Sequence, residues 1–169
     1  MSIEPIGIAT MRRIALAAAL FLAAAAPLPP PTLPPGKIPP IAKPYDVDAD
    51  AHAAVDAAFA RAKLNHHNVL LDFGGNWCGD CRALAGVLEQ PDVAKWVSQH
   101  YETVNINVGR FTVNTDIAKR FGVTLKAAPT VLVVAPNGTV LNADRVEALA
   151  DARYMSPQAV VDLLSTWVS

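Results

Sequence analysis

The sequence predicts an α/β fold in which a mixed central sheet is flanked by helices on both faces. Three observations predict it. Val69–Phe73 and Thr130–Ala135 are short, continuous apolar runs with the length and flanks of buried strands. The segments between and around them carry apolar residues at helical spacing. Strands and helices alternate at first, and a hairpin and a helix finish the chain, an order that makes a mixed sheet with helices on both sides.

Each element follows from local chemistry. Ala49–Leu64 places Val55, Phe59 and Ala62 on one side of a helix that ends near Asn65. Val69–Phe73 is the central strand. Cys78 opens a helix reaching about Leu88, and Asp92–His100 is a further helical stretch. Thr103–Val108 is the second strand. Thr115–Phe121 is a helix, with Asn114 or Thr115 as its cap and Gly122 as its stop. The β-branched Thr130–Ala135 strand meets the turn Pro136-Asn137-Gly138 and returns as Thr139–Asn142. Ser156 caps a last helix to Val168, with Pro157 at the first position, where its missing N–H costs nothing.

The amino-terminal residues are expected to lie outside this domain. Arg12 and Arg13 precede the apolar run Ile14–Ala26, which closes on Ala24, Ala25 and Ala26. A basic start, a short apolar middle and a small-residue end predict a secretory signal peptide over residues 1–26. As a helix the run is about 20 Å long, short of the roughly 30 Å hydrocarbon core, so cleavage is favoured over an uncleaved anchor. The start is Met1 or Met11. Ile14-Ala15 after the arginines fits general secretion better than twin-arginine export. Residues 27–44 hold nine of the fourteen prolines and read as an extended, semi-rigid spacer. The folded domain is then 45–169.

The net charge is −1 and no basic run occurs, so nucleic acid is not an expected partner. The two cysteines, Cys78 and Cys81, stand three positions apart. A bridge between them closes too small a loop to restrict the unfolded chain much, so the pair points to chemistry rather than stapling. The pair sits where a strand passes into a helix. Free N–H groups at a helix start favour negative charge and stabilise a thiolate there. Cys78, at the mouth, is the expected exposed nucleophile, and Cys81, one turn in, the buried resolving thiol. The thiolate attacks a substrate disulfide, and Cys81 then attacks Cys78 and releases the reduced substrate. No cofactor is expected.

Val69-Leu70-Leu71-Asp72-Phe73, Trp77-Cys78-Gly79-Asp80-Cys81-Arg82 and Ala128-Pro129-Thr130-Val131-Leu132-Val133-Val134 with Asn137-Gly138 together resemble the thioredoxin superfamily over roughly residues 50–168. With the export signal, the chain is most similar to secreted, periplasmic thioredoxin-like proteins. The resemblance implies a thioredoxin fold and a thiol–disulfide oxidoreductase. It implies that Asp72 is a buried carboxylate taking the Cys81 proton through water, and that a cis bond precedes Pro129. It implies that the Ala128 backbone receives an extended substrate and that Trp77 shields the thiols and offers an apolar contact. Disulfide-containing or thiol proteins are the implied partners, with electrons from a membrane thiol–disulfide donor.

The sequence departs from the family pattern at four places. Asp80, beside Gly79 in the motif, stands where thioredoxins carry proline. Its carboxylate opposes thiolate formation, so Gly79 and Asp80 are read as modulating residues and the centre as reducing. Gly86 replaces a helix-kinking proline, and Thr103 stands where the family often places a lysine near the buried carboxylate. Ala127-Ala128 leaves room for bulky substrate side chains. His66-His67 is read as a solvated loop pair, and Lys119-Arg120 as a solvated helix face. The Asp144–Asp151 stretch, with Arg145 and Arg153, is read as a surface helix or loop. The sequence leaves three other functions open: a thiol oxidase, differing only in potential; a CxxC module that binds copper or zinc and delivers it; and a scaffold that binds partners through its surface, with the redox chemistry incidental.

Overall fold

The computed structural model describes residues 28–168. The leader expected at residues 1–26 lies outside them, and none of the described helices is long and apolar enough to cross a membrane. The elements in chain order are α1 (Ala51–Asn65), β1 (Asn68–Gly74), α2 (Gly79–Leu88), α3 (Pro91–Ser98), β2 (Tyr101–Asn107), α4 (Thr115–Lys119), β3 (Thr130–Val134) and α5 (Pro157–Ser165), with a 3-10 turn at Ala152–Tyr154 before α5.

The sheet has the order β2-β1-β3. β1 runs parallel to β2, with Asp72 opposite Asn105, and antiparallel to β3, with Phe73 opposite Thr130. Successive side chains leave a strand on opposite faces. Val69, Leu71 and Phe73 therefore enter one core, with Val55, Ala58 and Ala62 of α1 and Ile117 of α4. Leu70 enters the other, with Leu84 of α2, Trp96 of α3 and Leu164 of α5. This is the predicted mixed sheet with helices on both faces.

Caps fix the helix starts. The Asp50 side chain accepts from Ala53 N–H at 3.0 Å, and Ser156 accepts from Ala159 N–H at 3.1 Å ahead of Pro157. The expected return strand of the hairpin is reduced to a single bridge, Val134 to Val140. Two backbone bonds of the ladder remain, Ala135 N–H to Thr139 carbonyl at 2.9 Å and Leu141 N–H to Val133 carbonyl at 2.8 Å, and a side chain takes over beyond them. The Asn142 amide accepts from Val133 N–H at 2.9 Å and donates to Val131 carbonyl at 2.8 Å. A primary amide imitates a peptide group, so the edge of β3 is satisfied without a fourth strand.

The described part of the segment expected as a spacer, 28–44, differs from that expectation. Prolines deny it helix and strand, but it does not stand clear of the domain. Leu33 and Ile38 pack against the α2/α3/α5 core. Leu28 carbonyl accepts from Trp96, and Leu33 N–H donates to Gln158 at 2.7 Å. Ile41 and Arg82 exchange two bonds, backbone N–H to Arg82 carbonyl and guanidinium to Ile41 carbonyl. Gly86 explains the crossing. A side-chain carbon there would collide with the Pro39 carbonyl oxygen, so only glycine lets the strap lie on α2. Extended proline-rich backbone leaves its carbonyls free, and donors of the domain take them.

Replacing Asn142 with Ala removes two buried hydrogen bonds and leaves backbone groups of β3 unpaired. Urea unfolding is expected to show a loss of about 2–4 kcal/mol with an unchanged m-value.

Candidate active site

At the end of β1 the chain turns through Gly75 and Trp77 into α2. Cys78 takes the N-cap position with extended backbone, and its sulfur accepts from Cys81 N–H at 3.1 Å, the place an Asp or Ser oxygen commonly fills. Cys78 and Cys81 are joined as a disulfide. Cys81 is fully buried. Cys78, expected to be exposed, is only 5 % exposed, although it is the more accessible of the two. Ala128 covers the pair from across the sheet end. The Cys78 sulfur lies 3.1 Å from the Ala128 carbonyl oxygen, and the Ala128–Pro129 peptide bond is cis. The Thr130 hydroxyl donates to Ala127 carbonyl at 2.8 Å and braces this loop. Antiparallel pairing of β1 with β3 is what carries Pro129 to the disulfide.

Strand alternation turns Asp72 toward α2, behind the disulfide. It is buried, and burial pushes its carboxyl up to about 7, against a smaller downward pull from a hydrogen bond donated by Tyr45. That hydroxyl lies 2.9 Å from Asp72 Oδ2. Burial also raises Tyr45, helped by the adjacent carboxylate. The residue opposite Asp72 in register is Asn105. Thr103, expected nearest, stands opposite Leu70. Both border, with Asp72, a cleft of about 290 Å³ between β2 and helices α2 and α3. The Asn105 amide is held by Pro44 carbonyl at 3.1 Å.

Asp80, read from the sequence as a carboxylate opposing the thiolate, has a cationic partner. It is nearly buried in the first turn of α2. Oδ1 accepts from Arg153 N–H at 3.1 Å, and Oδ2 pairs with Arg153 Nε at 3.3 Å. The same guanidinium lies against Gly79, within 3.2 Å of where its side chain would begin. A cation therefore offsets the acidic charge at the helix mouth, and partial exposure of Arg153 keeps the pair modest.

Trp77 is 41 % exposed beside the disulfide. Its indole N–H donates to Gly109 carbonyl, Phe111 meets its ring edge-on at 6.0 Å, and the Arg110 guanidinium lies 5.0 Å above it. Phe111 holds a left-handed φ of 63°, uncommon for a bulky residue. His67 is not a solvated loop residue but lies 3.2 Å from Glu102, which also accepts from Arg61 and Asn65. Among the described residues no three potential ligands cluster to hold a metal. Sequence reasoning missed Tyr45, Arg153 and the loop of Arg110 and Phe111. No local pattern marks them, because each reaches the site from a distant part of the chain.

A dithiol–disulfide pair at a helix mouth, set on a mixed sheet in front of a buried carboxyl, defines a thiol–disulfide redox protein. Residues 50–136 match the family described as thioredoxin-like. "Thioredoxin 1" of Synechococcus elongatus is 31 % identical over 84 residues, covering 49 % of this chain and 72 % of that protein. "Thioredoxin-2" of Pyricularia oryzae is 31 % identical over 107 residues, covering 58 % and 56 %. A crystal structure of a disulphide isomerase from Xylella fastidiosa Temecula1 is 37 % identical, with a TM-score of 0.70 over 75 % of this chain and 97 % of that one. The chain belongs to the thioredoxin-like family and is a thiol–disulfide oxidoreductase.

The Asp72 carboxyl supplies a pH test. Its folded pKa, about 7, lies above its ordinary value of 3.8, so the folded state binds a proton that the unfolded state has released between these values. Its contribution is full below about pH 4 and is lost as pH rises through about 7. Asp72→Asn is expected to be more stable than the parent by a few kcal/mol at about pH 8 and close to it at about pH 4, measured by urea unfolding at both pH values.

Proposed function

We propose that this oxidoreductase reduces or isomerises disulfide bonds of exported proteins in the bacterial periplasm, with electrons received from a membrane thiol–disulfide donor. One observation carries the reading: the Cys78–Cys81 disulfide lies at the mouth of α2 with the Cys78 sulfur against the Ala128–Pro129 loop. An extended substrate can lie along the Ala128 backbone with its own disulfide beside Cys78. The basic, apolar start of the sequence supports export, and the similarity to a disulphide isomerase supports the substrate class.

In the reduced protein the Cys78 thiolate attacks the substrate disulfide, forming a mixed disulfide and releasing one substrate thiol. Cys81 loses its proton toward Asp72 and attacks the Cys78 sulfur. The Cys78–Cys81 bond forms, the bond to substrate breaks, and the second substrate thiol leaves. The two electrons come from the Cys78/Cys81 dithiol, which the donor then restores. Trp77 and Ala128-Pro129 hold the substrate chain, while Gly79 and Asp80 form the first turn of α2, where Arg153 balances the Asp80 charge and leaves the backbone dipoles to act on Cys78.

Trapping tests the reading. Cys81→Ser should accumulate mixed disulfides with exported proteins, and Cys78→Ser should accumulate none. Absence of adducts in the first variant would reject the assignment. A reduction potential near the thioredoxin value of about −270 mV is expected, whereas one near −120 mV would make the protein an oxidase.

A further inference from the structure

The strap of residues 28–44 ends on a buried side chain in contact with the redox pair. Tyr45 forms a cluster with Cys78 and Cys81, and its hydroxyl donates to Asp72 Oδ2 at 2.9 Å. Gly74 locates that hydroxyl relative to sulfur. A side-chain carbon on Gly74 would collide with the Tyr45 hydroxyl and stand 2.7 Å from the Cys81 sulfur, so the two atoms flank one small space that only glycine leaves open. Tyr45 is also held at its backbone. Its N–H donates to Asn76 Oδ1 at 3.0 Å, and Asn76 Nδ2 donates to its carbonyl at 2.9 Å, tying it to the loop that precedes Cys78. Pro44 is fixed to Asn105 on β2. Tyr45 precedes the stretch matched by the family, 50–136, so the strap adds a polar group to the site from outside that stretch.

We propose that the Tyr45 hydroxyl relays the proton from the Cys81 thiol to Asp72 during resolution of the mixed disulfide. The inference rests on the oxidoreductase reading above. The Cys81 proton passes to the Tyr45 oxygen as the Tyr45 proton passes to Asp72 Oδ2. The Cys81 thiolate attacks the Cys78 sulfur, the Cys78–Cys81 bond forms, and the substrate leaves as a thiolate that solvent protonates. Tyrosine ends neutral, as it began, which suits a phenol that burial holds un-ionised. Asp72 can accept because its carboxyl titrates near neutrality. It discharges to the cleft it borders beside Thr103 and Asn105. The titratable groups around the carboxyl are Tyr45 and Cys81 on the redox side and Glu89 and Tyr101 around the cleft. Water fills this relay role in the family reading, and here a side chain occupies the path.

The test uses the full chain, reduced with dithiothreitol and then freed of it, and a fluorescent disulfide peptide as substrate. Tyr45→Phe keeps the ring and removes the relay. Formation of the mixed disulfide is expected to stay within about twofold of the parent, while its resolution slows on the order of tenfold or more near neutral pH. The deficit should shrink at high pH, where hydroxide deprotonates Cys81 directly. A purely structural role would slow both steps and leave the pH profile unchanged. In an Asp72→Asn background, which leaves no carboxylate unpaired, Tyr45→Phe should slow resolution no further. Unchanged resolution in Tyr45→Phe, or a further additive loss in the double variant, would overturn the relay. Failure of the unaltered protein to reduce the peptide would instead count against the oxidoreductase reading itself.

Discussion

Cys78 caps α2 with sulfur. Free backbone N–H groups at that end need an acceptor, and the Cys78 side chain takes the Cys81 N–H. The contact that starts the helix thus also holds the reactive atom in the field of the helix end. The rest of the fold serves to keep this mouth in place. Pairing of β1 with β3 delivers Pro129 to it, and strand alternation places Asp72 behind it. Asp80 would oppose a thiolate there, but Arg153 from the turn before α5 neutralises it. Two opposing charges at the helix mouth leave the backbone dipoles as the main influence on Cys78.

The strap changes how the domain is bounded. Residues 28–44 have no regular structure of their own, yet their carbonyls receive donors from α2, α3, α5 and β2. Gly86 shows the mutual fit: the helix surface is cut back to backbone where the strap crosses. A proline-rich segment loses less conformational entropy on docking than a flexible one, because its φ angles are already fixed. Such a segment can therefore hold Tyr45 in place with few apolar contacts.

Periodicity made the architecture legible. The apolar run of β1, the Ser156 cap of α5 and the Cys78–Cys81 spacing were all readable because their signals lie within a few neighbouring residues, whereas Asn114, expected to cap α4, makes no cap bond and donates to Asn107 carbonyl instead. Asp72 and Pro129 were legible only through the family pattern. What escaped reading depends on contacts distant in sequence. Asn142 ends the hairpin because its amide substitutes for a strand, and no residue pattern distinguishes that from a continuing ladder. Arg153 meets Asp80 across 73 positions. Prolines at 29–44 signal extended backbone correctly but do not say whether it docks; Leu33 and Ile38, set between them, are the only hint. Tyr45 carries no motif at all.

The most direct test of this account is the pH dependence of thiol alkylation in the reduced protein, followed residue by residue with iodoacetamide. If the helix mouth governs the chemistry, Cys78 reacts first and titrates below the free thiol value of about 8.5, while Cys81 stays protected. Preferential reaction at Cys81, or a Cys78 that titrates above that value, would contradict it.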